Sequence, residues 1–367
     1  MVNRVEANNY FLLFRTTQSE LRAIKSIKYD RKNIIPLIEL TKGRISKNDE
    51  QGKIKKNIDK ISETFKDNTV MLDLSNLKKL SNDEIENLFT ANEGYKEWRT
   101  FLVDLKKERT FNKIIPVLLQ NFEESNYELN FRKQVQLLAN DFDIIAYRSN
   151  IAEDGCYEDM VLIQDLLKKE GLKFIFLIDC EHVAPGSWLS FADKVSERIE
   201  HISEINSKIE FVIFSTSFPK YVGELGDEQS DTFRLHEIDI FNNIKKRHGA
   251  KRIYYGDYGS VNPYRSDGIK LKYGWIPRID VPTSREIFYY RKRRNDISQP
   301  YSDVYSYIAR NEIVTDSRFP KNLSNNWGIK QILFCADGKA PGSSPSFWIS
   351  VRMNIHIEQQ LRRLKKL

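Results

Sequence analysis

Eight polar residues stand at or next to the ends of short apolar runs in this 367-residue sequence. They are Arg15, Glu39, Asp73, Gln120, Arg148, Asp179, Ser215 and Asp257, and their runs include YFLLFR, NIIPLIEL, TVMLDL, DIIAYR, KFIFLID and RIYYGD. A carboxylate at the end of a buried strand loses its hydration. To stay ionised it needs an arginine, a hydrogen-bond donor or a metal ion. Arg15 and Arg148 are the available cationic partners. Two chemistries fit the set. In one, Asp257, Asp179, Glu39 and Asp73 act as general acid/base groups or as ligands for a divalent ion such as Mg²⁺, while Arg15 and Arg148 clamp an anionic or phosphorylated ligand. In the other, the same residues form an ion-pair ring that only fixes the strand ends.

Three further segments carry chemistry. In YYGDYGSVNP, Gly256 and Gly259 flank Asp257 and Tyr258 directly after an apolar run. Glycines there allow a tight or left-handed turn, or close approach of the backbone to a ligand, and the amides of such a turn can bind an anion. In IDCEHV, Asp179, Glu181 and His182 fall within four residues, a weak match to a metal site because no HExxH or second histidine accompanies them. SREIFYYRKRR interleaves aromatics with Arg291, Arg293 and Arg294. That mixture suits contacts to nucleic-acid phosphates and bases, or equally a strand with one buried aromatic face. No GxSxG motif, Cys/His pair or kinase signature is present, so classical nucleophilic catalysis has no support.

The elements that must position these groups are legible from the hydrophobic pattern. Eight β-rich runs begin at residues 10, 33, 69, 113, 143, 173, 210 and 252, and each of the first seven is followed by an amphipathic helical segment. The runs are near-continuously apolar, as expected for strands buried on both faces of a parallel sheet. Regular β–α alternation over residues 1–260 predicts an α/β fold, a (β/α)8 TIM-barrel-like parallel barrel, with an open doubly wound sheet as the alternative. Polar residues at the carboxyl ends of barrel strands would then share one mouth. A helix is expected over 231–248, before the eighth strand. After residue 260 the rhythm stops. Residues 261–367 are expected to form a C-terminal extension of strands and helices that wraps or caps the barrel.

Composition narrows the classes. Aromatics make up 12% of the chain and apolar residues 40%, enough for a sizeable core and too much for general disorder. The net charge of +7 is too modest on its own to require a nucleic-acid partner. Cys156, Cys180 and Cys335 are too sparse to make a zinc site and suit a reducing compartment. No apolar run approaches the length of a membrane span, so a cytoplasmic protein with no membrane contact is expected.

The second half of the chain resembles the phage beta-protein family. The resemblance is carried in order by SFP (217–219), RLHE (234–237), YYGDYGSVNP, GWIPRIDVPTSREIFYYR, and Trp348 with NIHIEQQL. Asn262 stands where the family places a histidine before proline, and Asn354 and His356 stand in the region of a paired histidine. The resemblance implies a TIM-barrel-like fold and a setting in phage–host conflict. It supplies no reaction. It makes His356 a candidate ligand-binding residue and leaves three expectations open. The first is a component of antiphage defence, working with a partner protein of a defence operon and recognising a phage-derived protein, nucleic acid or phosphorylated ligand. The second is a metal-dependent phosphodiesterase, nuclease or nucleotide hydrolase. The third is a structural partner subunit with no ligand of its own.

Overall fold

A computed structural model describes residues 8–45, 49–220, 229–264 and 274–366. Strands β1 (Tyr10–Arg15), β2 (Ile34–Leu40), β3 (Thr69–Leu74), β4 (Lys113–Pro116), β5 (Ile144–Asn150), β6 (Lys173–His182) and β7 (Glu210–Thr216) follow in chain order, then β8 (Ser230–Arg234) and β9 (Ile253–Asp257). All except β8 form one parallel sheet in the order β4-β3-β2-β1-β9-β7-β6-β5. Its two ends meet through a parallel bridge between Val117 and Ala146, where the Leu118 amide donates to the Ala146 carbonyl at 2.8 Å. The strands thus form an eight-stranded barrel, the arrangement that the β–α alternation predicts.

Helices fill the outside: α1 (Gln18–Lys25), α2 (Lys55–Phe65), α3 (Asp83–Leu88), α4 (Asn92–Lys107), α5 (Tyr127–Asp141), α6 (Cys156–Leu162), α7 (Trp188–Ile205) and α8 (His236–Arg247). Strand periodicity divides each run between two cores. Phe11, Leu13, Ile35, Leu37, Met71, Ile175 and Leu177 fill the barrel interior. Tyr10, Leu12, Phe14, Ile34 and Ile38 face the helices. Burial on both sides is why these runs are apolar throughout and do not alternate.

Residues 231–248 differ from expectation. Only α8 is helical, while β8 pairs antiparallel with β11 (Glu286–Arg291), which in turn pairs with β10 (Arg278–Pro282). The partner that makes Ser230–Arg234 a strand lies more than fifty positions away in sequence, where a local helical pattern cannot reveal it. Helices α9 (Tyr301–Ile308), α10 (Trp327–Ala336) and α11 (Pro345–Leu364) complete the chain. Ile279, Val281 and Phe288 of the small sheet share a second core with Tyr305, Ile332 and Trp348. Ser344 caps α11, accepting from the Phe347 amide at 3.3 Å, and Pro345 occupies the first turn, where its missing N–H costs nothing. This helix packs on α1, β1 and β10.

The glycines of YYGDYG have separate causes. A Cβ on Gly256 would lie 2.6 Å from the Phe214 ring inside the barrel. Gly259 has φ +60°, the left-handed region that a glycine enters without penalty. Gly256→Ala is expected to lower the unfolding free energy by about 1–3 kcal/mol through forced repacking of Phe214. Urea unfolding measures this, and an unchanged midpoint would show that the ring moves aside freely.

Candidate functional site

At the carboxyl ends of the barrel strands the inward-facing positions turn polar, and one guanidinium connects them. Arg148, at the end of β5, donates through Nε and Nη2 to Asp179 Oδ2 at 2.9 and 2.6 Å. Its Nη1 donates to Glu39 Oε1 at 2.6 Å and to Asp73 Oδ2 at 3.0 Å. On the other side of Glu39, Arg15 Nε donates to Oε2 at 2.6 Å, and Arg15 Nη1 reaches the Pro263 carbonyl at 2.7 Å. Tyr258 donates its hydroxyl to Asp179 at 2.6–2.7 Å. Gln120 belongs to the same rim, donating to the Arg148 carbonyl at 2.8 Å. Arg148 keeps only 18% of its side chain exposed, and the acids keep less.

Burial and charge act unequally on these acids. Burial penalises the charge on Glu39, but Arg148 and Arg15 together outweigh it and hold the carboxyl below its usual range. Asp73 has a single arginine contact. Its burial dominates, and the carboxyl is pushed up to about 6. Glu181 follows at the rim, accepts from the Tyr264 hydroxyl, and is also raised, first by burial and against that hydrogen bond. Asp179, Glu181 and His182 do not gather as a metal site. Asp179 faces Arg148, and a bulge between Asp179 and His182 breaks the strand register.

Asp257 and Ser215 lie elsewhere. The sequence groups them with the other strand ends, but Tyr254 of β9 and Tyr258 just after it face inward, so Asp257 points out toward the helices. Ser215 likewise alternates with the inward Phe214. Asp257 accepts from Tyr10, from Tyr255 at 2.7 Å and from the Gly259 amide at 2.8 Å, and its Oδ2 lies 2.8 Å from His356 Nε2 on α11. The anion held by the glycine turn is therefore the protein's own Asp257. Burial disfavours its charge, yet His356 and the hydroxyls hold the carboxyl below its ordinary value. Glu237 of α8 faces this group and is pushed up to about 7 by burial and by Asp257. No motif marked Glu237 or Tyr10 in the sequence; only the position of Glu237 inside RLHE hinted at a role.

Arg291, Arg293 and Arg294 line a groove of about 450 Å³ with Lys292, Gln229 and Asn295. The faces of the neighbouring Tyr301 are already used. Tyr301 stacks on Trp275 at 4.0 Å on one side and carries the Arg294 guanidinium at 4.3 Å. All three cysteines are buried and free. Among the described residues, no helix is long and apolar enough to cross a membrane.

The sequence matches the Beta protein family over residues 10–362. This chain belongs to that family. It is also similar to Protein beta of Enterobacteria phage P4, at 25% identity over 364 residues, covering 97% of this chain and 94% of the phage protein. The Beta protein match spans barrel and C-terminal elements alike, so it includes the Arg148 network as well as the Asp257–His356 pair.

Arg148→Met would leave Asp179 and Asp73 without an arginine and Glu39 with Arg15 alone, and is expected to cost about 3–5 kcal/mol of stability, measured by chemical denaturation. Asp73 titrates in the other sense. Its folded-state value of about 6 exceeds the ordinary 3.8, so the folded protein holds an extra proton between those pH values and loses stability as pH rises through them. Asp73→Asn is expected to flatten that decline and to stabilise the protein at pH 7 by on the order of 1–2 kcal/mol. An unchanged pH profile would contradict the assignment.

Proposed function

We propose that this protein is a recognition component in phage–host conflict whose barrel mouth receives a basic side chain, lysine or arginine, from a phage-derived protein. Membership of the Beta protein family and likeness to a phage P4 protein support the setting. The charge balance of the mouth carries the choice of ligand. Among the described residues, four carboxylates, Glu39, Asp73, Asp179 and Glu181, share it with two guanidiniums, Arg15 and Arg148. The surplus is negative, and it resides on Asp73 and Glu181, the two acids least compensated by arginine. An arriving cation completes the pairing, whereas a phosphate would add to the surplus.

The metal-dependent hydrolase has less behind it at this mouth. Arg148 occupies the space between the carboxylates that a catalytic cation would need. Nucleic-acid binding along Arg291, Arg293 and Arg294 gains no stacking surface from Tyr301, both of whose faces are covered.

The test is affinity capture from phage-infected and uninfected cells with the wild-type protein and an Asp73→Asn/Glu181→Gln variant. An infection-dependent partner is expected with wild type and lost with the folded variant. Capture is expected to be stronger at pH 7 than at pH 5, because Asp73 gives up its proton near 6. Equal recovery by both proteins would overturn recognition through the mouth.

A further inference from the structure

We propose that Glu237, Asp257 and His356 hold a divalent transition-metal ion, of the zinc or manganese class, within the wall between barrel and helices. One carboxylate oxygen from each acid and one ring nitrogen of His356 lie within 4.8 Å of one another, the only such group of three or more among the described residues. All three side chains are buried, and Asp257 and His356 are fully so. They arrive from α8, β9 and α11, so their meeting is a product of the fold and not of one loop.

Two atoms have no hydrogen-bond partner there: Glu237 Oε1 and His356 Nδ1. An orphaned carboxylate oxygen at such depth is costly, and a metal bond removes the cost. The other Glu237 oxygen is fixed by the Ser217 amide at 3.1 Å and hydroxyl at 2.6 Å, which orients the carboxylate. Tyr10, Tyr255 and the Gly259 amide orient Asp257 in the same way. Donors of this kind behind the ligating groups are typical of metal sites. Charge agrees as well. Two carboxylates and a neutral imidazole balance a divalent ion, and no arginine among the described residues donates to either acid; Arg363 stacks on Tyr255 at 4.2 Å, gives its Nε to Gln360 and leaves Nη2 unpaired. One nitrogen and two oxygens suit zinc or manganese better than the all-oxygen shell of magnesium. On binding, His356 and Glu237 release to solvent any protons they hold at the ligating atoms, and the ion ties α8 and α11 to β9.

Elemental analysis of untagged protein, purified without chelators, tests this directly. About one equivalent of metal per chain is expected. After chelator treatment, added Zn²⁺ or Mn²⁺ is expected to raise the thermal midpoint. Glu237→Gln and His356→Gln are each expected to weaken metal binding at least about tenfold. Glu181→Gln at the barrel mouth is expected to retain the metal, which separates the two acidic sites. Should His356→Gln fail to fold, the shape-conserving Glu237→Gln decides. Wild-type protein that takes up neither ion and shows no thermal shift overturns the proposal, as does full metal retention by Glu237→Gln.

Discussion

A single guanidinium governs the chemistry of this barrel. Arg148 leaves β5 and touches acids of β2, β3 and β6, so three strand-end carboxylates share one cation, and only Glu39 has a second one in Arg15. Removing three carboxylates from water without it would cost several kcal/mol for each. With it, the mouth becomes a connected lattice of charge-assisted hydrogen bonds. The same contacts decide what the mouth can do. Arginine is a permanent cation that fills the place of a metal ion but exchanges nothing with solvent. What remains for a visitor is the unneutralised part of the acidic set, on Asp73 and Glu181.

Strand β9 shows how one residue step separates two sites. Tyr258 turns inward and completes the Arg148 network through Asp179, while Asp257 turns outward and meets His356. A side-chain period of two makes this unavoidable. One short segment thus helps build the buried charge network at the strand ends and a sealed polar group under the C-terminal helix. The first is compensated by arginines. The second sets a histidine, two tyrosines, Ser217 and the Gly259 amide against two acids, and it leaves polar atoms unpaired.

The barrel was legible because parallel strands buried on both faces leave long apolar runs, and the helices between them keep their own period. Arg15, Glu39, Asp73, Arg148 and Asp179 were legible as a group because each ends such a run. Asp257 was misplaced with them for a physical reason. A run buried on both sides conceals which of its positions face inward, so the strand end alone does not give the direction of the side chain. Gly256 deepens the ambiguity, since it has no side chain to mark its face. Glu237 was out of reach because its partners come from β9 and α11, and β8 was hidden because its pairing strand follows much later. The first part of SREIFYYRKRR did form the strand that its pattern suggested, with Phe288 buried, but the occupied faces of Tyr301 could be seen only in three dimensions.

Calorimetric titration with an oligolysine peptide and with inorganic phosphate, at low and high salt, tests the mouth most directly. Arg291, Arg293 and Arg294 are neutralised in all samples, so that phosphate uptake elsewhere does not confuse the result. The wild-type mouth is expected to bind the peptide despite the protein's overall positive charge, to bind it less at high salt, and to ignore phosphate. Binding of phosphate but not peptide, with the phosphate heat abolished in an Arg148→Met protein that still folds, would contradict the account.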